Sequence, residues 1–156
     1  MIMKVELISL NASMTKEIAT YIASYLNEGM LLTLDGHLGA GKTTFTQGLG
    51  KALGVNETIN SPTFNILKCY FSGRLPFYHI DAYRLEDHVN DDIGLEEVIQ
   101  GDGVCVIEWS KFIEDKLFEP LKIEITIIDQ ERRKFVISSE FEKYRELMEG
   151  LKSLCL

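Results

Sequence analysis

At 156 residues with 46% apolar content, the chain has the length of one ordinary domain and enough hydrophobic material to close a core. Charged residues at 26% and only three prolines exclude a disordered or fibrous chain. Sixteen basic residues against 24 acidic ones give a formal net charge of −8, which opposes a broad phosphate-tracking surface, so any RNA is expected to be held by partner proteins.

Val5 to Ile8 reads as a short edge strand. Asn11 or Ser13 can cap a helix from about 14 to 28, in which Met14, Ile18, Ile22, Tyr25 and Leu26 recur at helical spacing and Gly29 marks the end. Met30 to Asp35 is a short apolar run bounded by glycine, the pattern of a buried strand. A Gly-rich loop comes next, and from Lys42 the residues Phe45, Leu49, Ala52 and Leu53 outline a helix stopped by Gly54. Phe64 to Phe71 and Leu75 to Ile80 form a predicted hairpin about Ser72-Gly73. An acidic stretch, Glu86 to Asp92, leads to a short helix near Leu95 to Ile99, ended by Gly101 and Gly103.

Val104 to Ile107 is a further buried strand with Glu108 at its C-terminal end, the edge where open α/β sheets place ligands. Leu121 to Ile128 and Lys134 to Ser138 pair around Asp129 to Arg133, and a helix from about Glu140 to Leu151 closes the chain. The sum is one α/β domain over residues 1–156, with three layers and a mixed β-sheet flanked by helices, of the P-loop NTPase-like kind.

The loop Gly36-His37-Leu38-Gly39-Ala40-Gly41-Lys42-Thr43 matches G-x-x-x-x-G-K-[ST] between a strand and a helix. A phosphate chain needs several converging backbone N–H groups, and such a loop supplies them together with the helix dipole. Gly36 and Gly41 allow backbone geometry that a Cβ would block, and Lys42 brings a charge to the β- and γ-phosphates. Thr43 offers a hydroxyl to Mg²⁺ and Thr44 reaches the α-phosphate, while His37 faces solvent. The residues from His37 to Thr44 are therefore the expected nucleotide contacts, with ATP and Mg²⁺ as the ligands. No Asn-Lys-x-Asp run is present to read guanine.

Mg²⁺ and an attacking water need carboxylates at neighbouring strand ends, and Asp81 and Glu108 both occupy such ends. Together with Lys42 they are the expected catalytic set, with Thr43 and Glu108 on the metal. Thr63, after Ser61-Pro62, is either a switch residue sensing the γ-phosphate or a turn hydroxyl. Trp109, the single tryptophan, is either a core filler or an aromatic anchor for a partner. Arg132 and Arg133 sit in a turn, and Arg133 either contacts nucleotide or is solvated. His79 and His88 lack partners at metal-ligand spacing, and Cys69, Cys105 and Cys155 show no C-x-x-C pattern, so neither zinc nor a disulfide framework is expected. No apolar run approaches the roughly 20 residues that span a bilayer, and the N-terminus lacks a secretory pattern, so a cytoplasmic location is expected.

In order, Gly-His-Leu-Gly-Ala-Gly-Lys-Thr-Thr at 36–44, Ser-Pro-Thr-Phe at 61–64, Tyr-His-Ile-Asp-Ala-Tyr-Arg-Leu at 78–85 and Ile-Glu-Trp at 107–109 closely resemble the TsaE family, also known as YjeE. The resemblance implies a bacterial ATPase that works with the TsaD and TsaB proteins to make N6-threonylcarbamoyladenosine beside the tRNA anticodon. It implies that Lys42 and Thr43 bind phosphate and Mg²⁺, that Glu108 is a metal-associated acid assisted by Asp81, and that Thr63 lies in a switch-like loop. Trp109 matches a position tied to nucleotide hydrolysis or complex assembly. Two residues depart from the pattern: His37 stands where an acid is common, and Ser110 where proline often follows Glu-Trp. A small-molecule P-loop kinase is the alternative, but the acidic stretch from Glu86 to Asp92 makes a poor phosphate-closing lid.

Overall fold

Leu31–Asp35 (β2) and Val104–Glu108 (β5) are apolar-rich and buried at almost every position, so both faces of each strand are covered at the centre of the sheet. Met3–Ser9 (β1), Leu121–Ile127 (β6) and Arg133–Ser139 (β7) instead alternate, so one face of each enters the core and the other looks outward. Leu67–Tyr70 (β3) and Phe77–Asp81 (β4) complete a seven-stranded sheet in the order β1-β7-β6-β2-β5-β4-β3. The four central strands β6, β2, β5 and β4 run parallel, while β1, β7 and β3 pair antiparallel at the flanks. The computed structural model describes residues 1–62, 66–83 and 95–154. Thr63, the acidic stretch Glu86 to Asp92, His88 and Cys155 lie outside them.

Helices cover both faces, giving the three-layer P-loop NTPase-like α/β fold. On one face Ala12–Ala23 (α1), Lys42–Ala52 (α2) and Arg145–Ser153 (α4) pack into the larger apolar cluster; on the other, Leu95–Ile99 (α3) and the 3₁₀ turn Ser110–Lys116 pack into a smaller one around Leu31, Ile80, Cys105 and Ile107. Of the stripe predicted for α2, Phe45 and Leu49 are fully enclosed, each contributing about 1.5–3 kcal/mol, and Leu53 is buried just past the helix, whereas Ala52 is exposed. Among the described residues, no helix is long and apolar enough to cross a membrane.

Three boundaries differ from the sequence expectation. α1 is capped by Asn11, whose side chain accepts from Met14 N–H, but it stops at Ala23 rather than near 28. Beyond it Tyr25 N–H bonds to Ile22 O and Leu26 N–H to Ala23 O, three residues back instead of four. This 3₁₀ winding keeps Leu26 on the buried face and so prolongs the helical pattern past the helix. The predicted strand beginning at Phe64 is described only from Leu67, and its antiparallel partner begins at Phe77, just after Pro76. The final helix begins at Arg145, after a 3₁₀ turn at Glu142–Tyr144. That turn delivers the buried Tyr144 hydroxyl to β2, where it accepts from Leu31 N–H at 3.0 Å and donates to Leu31 O at 3.1 Å. It thus supplies a side-chain substitute for a ladder bond at the start of the strand.

Register brings the strand-end acids together. Asp81 lies opposite Glu108, Glu108 opposite Leu34, and Asp35 one step further on, so three carboxylates line the C-terminal edge of three adjacent parallel strands.

Candidate functional site

The loop leaving β2 passes directly against β6, where a Cβ on Gly36 would lie 2.7 Å from Ile125 O. Only glycine fits there. Gly39 and Gly41 have φ of +82° and +101°, a region closed to most L-residues, and Gly41 is the N-cap of α2. It offers no side-chain acceptor to the helix. Backbone pairing resumes with Phe45 N–H donating to Gly41 O at 3.0 Å, so the first N–H groups of α2 are those that a helix cannot satisfy internally. An uncapped positive helix end behind a left-handed glycine turn is suited to an anion.

Arg133, at the start of β7, reaches across to this loop. Its Nε donates to Ala40 O at 3.0 Å and its Nη2 to Gly39 O at 3.3 Å, while Nη1 donates to the carbonyls of Asp129, Gln130 and Arg132. The guanidinium therefore latches the loop to the β6–β7 turn. Because the peptide is trans, pulling Ala40 C=O toward Arg133 turns Gly41 N–H the opposite way. Arg132 points elsewhere and pairs with Asp129 at 2.7 Å on the surface.

Lys42 occupies the centre of the site. Its Nζ donates to Gly36 O at 2.7 Å, lies 3.9 Å from Glu108 Oε1, and sits 4.1 Å from the centroid of the Trp109 ring. Burial holds its pKa below the ordinary lysine value, opposed by the negative charges of Glu108, Asp35 and Asp81. Glu108 is nearly enclosed, and its second oxygen, Oε2, lies 2.6 Å from Nε2 of the fully buried His79. Asp81 accepts from Tyr83 N–H at 3.1 Å. Asp35 accepts twice from Ser110, from the backbone N–H at 3.0 Å and from Oγ at 2.7 Å. A proline at 110 could make neither bond, so the departure from the family pattern at this position is used.

Those two bonds anchor the backbone just beyond Trp109, whose φ of +58° is unusual for a bulky residue. Trp109 is half-buried, with its ring tilted at 58° against Tyr83 at a centroid distance of 5.4 Å and with Lys42 Nζ over its face. Its intermediate burial sets it apart from the core residues.

The structure brings Lys42, Glu108, Asp81, Trp109 and Arg133 to one edge of the sheet, with Thr43 and Thr44 in the first turn of α2. His37 and Leu38 lie on the exposed rim, Gly39 is exposed, and Ala40 is buried. Asp35, His79 and Ser110 also belong to the site, although their sequence positions alone did not place them there. Asp35 obeys the strand-end rule that selected Asp81 and Glu108, and His79 precedes Asp81 by one strand period, which puts both on the face that Glu108 shares. Beside the cradle, Ala12, Thr15, Gly41, Thr44, Gln130 and Glu131 border a hollow of about 350 Å³. No group of three His, Cys, Asp or Glu side chains able to hold a metal occurs among the described residues.

Comparison with known proteins gives one consistent result. A family model described as threonylcarbamoyl adenosine biosynthesis protein TsaE matches residues 9–135. The tRNA threonylcarbamoyladenosine biosynthesis protein TsaE of Bacillus subtilis (strain 168) is 44% identical over 144 residues, covering 92% of this chain and 90% of that protein. Its counterpart from Treponema pallidum (strain Nichols) is 40% identical over 135 residues, covering 84% and 98%. The crystal structure of Bacillus subtilis YdiB superposes with a TM-score of 0.83 at 35% identity, covering 99% of this chain and 97% of that one. With a family model spanning most of its length and relatives aligned nearly end to end, the chain belongs to the TsaE family of threonylcarbamoyl adenosine biosynthesis proteins.

Proposed function

We propose that this chain is the ATP-hydrolysing member of a tRNA-modifying assembly in the cytoplasm, supporting threonylcarbamoyl transfer onto the adenosine beside the anticodon by the TsaD and TsaB proteins. The observation that carries the reading is the convergence of an uncapped helix end, a buried lysine and three strand-end carboxylates at one sheet edge. The residues fit ATP with Mg²⁺. The left-handed turn and α2 present N–H groups to phosphates, Lys42 adds a charge, and the adjoining hollow is of a size that takes a nucleoside. Thr43 and Glu108 are the groups that would hold Mg²⁺, and a site with so few protein donors suits an ion that keeps phosphate and water oxygens. When bound, Mg²⁺ supplies charge neutralisation at the phosphate oxygens.

In this reading Lys42 binds the phosphates, Glu108 faces the reacting end of the chain, and Asp81 assists from the neighbouring strand. Arg133 is already spent on backbone carbonyls and is not free to reach the phosphates, and in this reading a partner supplies the cation that speeds the reaction. Intrinsic hydrolysis is therefore slow. The net charge of −8 supports contact with tRNA through those partners rather than directly.

Hydrolysis measured with the chain alone and with the TsaD and TsaB pair tests this. Slow turnover alone that rises with the pair is expected; rapid turnover by the isolated chain would overturn the partner dependence. Unchanged tRNA modification in cells depleted of the chain would favour a kinase instead.

A further inference from the structure

We infer that His79 is a positioning residue of the hydrolysis site: its imidazole holds Oε2 of Glu108, so that Oε1 alone is presented to Lys42 and the ligand. The inference rests on the ATP reading for its consequence, but its geometry stands apart from it.

Successive side chains of a strand point to opposite faces, so His79 and Asp81 of β4 share one, and the pairing of β4 with β5 puts Asp81 opposite Glu108. His79, one period before Asp81, projects from the same face below them and meets Glu108 at 2.6 Å. His79 is 0% exposed, and its Nδ1 is buried with no hydrogen-bond partner. That orphan assigns the ring: a proton on Nδ1 would leave an N–H in the core without an acceptor, so the proton is on Nε2 and is donated to the carboxylate. Packing does not account for the residue. A leucine would fill similar space without burying an unpaired nitrogen. What histidine adds is one short hydrogen bond to a charged oxygen.

Glu108 has few other restraints. It ends its strand, and beyond it the chain turns through the left-handed Trp109. Oε1 is 3.9 Å from Lys42, too long to fix the carboxylate by hydrogen bonding. With Oε2 held from the protein side, the carboxylate plane is set and one oxygen points toward the cradle. Groups that orient a reacting or metal-holding carboxylate in this way typically affect activity about 10- to 100-fold.

The test compares the full chain with its His79→Gln and His79→Leu variants, reading MgATP affinity by calorimetry and hydrolysis by single turnover. Gln keeps an N–H donor; Leu keeps only volume. Positioning predicts that both variants still saturate with MgATP, with hydrolysis at saturation about 10- to 100-fold lower in His79→Leu and substantially recovered in His79→Gln. Equal hydrolysis in the wild type and His79→Leu, or Leu outperforming Gln, would overturn it. Nitrogen-15 NMR of the histidine ring in the wild type, without nucleotide, is the second measurement and does not depend on the variants folding. An exchange-protected, downfield Nε2 proton that moves upfield in Glu108→Gln is expected. A proton on Nδ1, or no response to that substitution, would overturn the inference. If MgATP does not bind the wild type, the ATP reading fails while the NMR result still decides the His79–Glu108 bond.

Discussion

Glu108→Gln separates nucleotide binding from hydrolysis. Lys42 and Glu108 lie 3.9 Å apart with side chains only 8% and 6% exposed, so solvent screens them little. At an effective dielectric of about 20 their coupling is on the order of 4 kcal/mol. Asp35 and Asp81 also act on Lys42, so the substitution still leaves the lysine two carboxylates that oppose the effect of burial. It removes the negative charge that competes with phosphate for that lysine. If half of the coupling, about 2 kcal/mol, passes to the phosphates, affinity for ATP rises about 30-fold. Calorimetry in EDTA reads this term free of any effect on Mg²⁺. Hydrolysis with Mg²⁺ present should fall about 10²- to 10⁴-fold, the range for loss of a positioned acid–base group. ATP affinity in EDTA lowered tenfold or more, or hydrolysis left unchanged, would refute the electrostatic reasoning.

Three further outcomes are expected. Tyr144→Phe leaves Leu31 N–H and C=O without their buried partner, costing about 2–4 kcal/mol and lowering Tm by about 4–16 °C with ATP affinity intact; a calorimetric shift under about 2 °C would contradict the assignment. Arg133→Ala should weaken nucleotide binding about tenfold or more by freeing the Gly39 and Ala40 carbonyls, and Arg133→Lys should not restore it, because an ammonium cannot span carbonyls that a fork does. Equal affinity in the lysine variant would count against the latch. Cys105 is wholly buried and burial pushes its thiol pKa far up, whereas Cys69 is exposed, so a thiol reagent on native protein should lose one equivalent in Cys69→Ser and none in Cys105→Ser.

The strands and the cradle were legible because each obeys a local rule. β2 and β5 are short apolar-rich runs buried on both faces, the loop from Gly36 sits between strand and helix, and Asp81 and Glu108 end their strands. What was not legible depends on pairing. His79 looked idle because its partner is 29 residues away in sequence, and only the register of β4 on β5 joins them. Asp35 and Ser110, 75 residues apart, meet for the same reason. Arg133 could be placed in a turn but not on the loop of β2, since nothing local says that β6 lies beside that strand. The overlong α1 shows the converse failure: a 3₁₀ turn preserves the periodicity of a helix after its four-residue bonds have stopped.

Nucleotide binding by the cradle from Gly36 to Thr44 through Lys42 is the claim on which the proposed hydrolysis depends. Calorimetric titration of MgATP into the wild type and Lys42→Ala decides it. Saturable binding at one site, weakened about 10- to 100-fold by the substitution, is the expected result. Equal affinity in the two proteins, or no heat with the wild type, would contradict it.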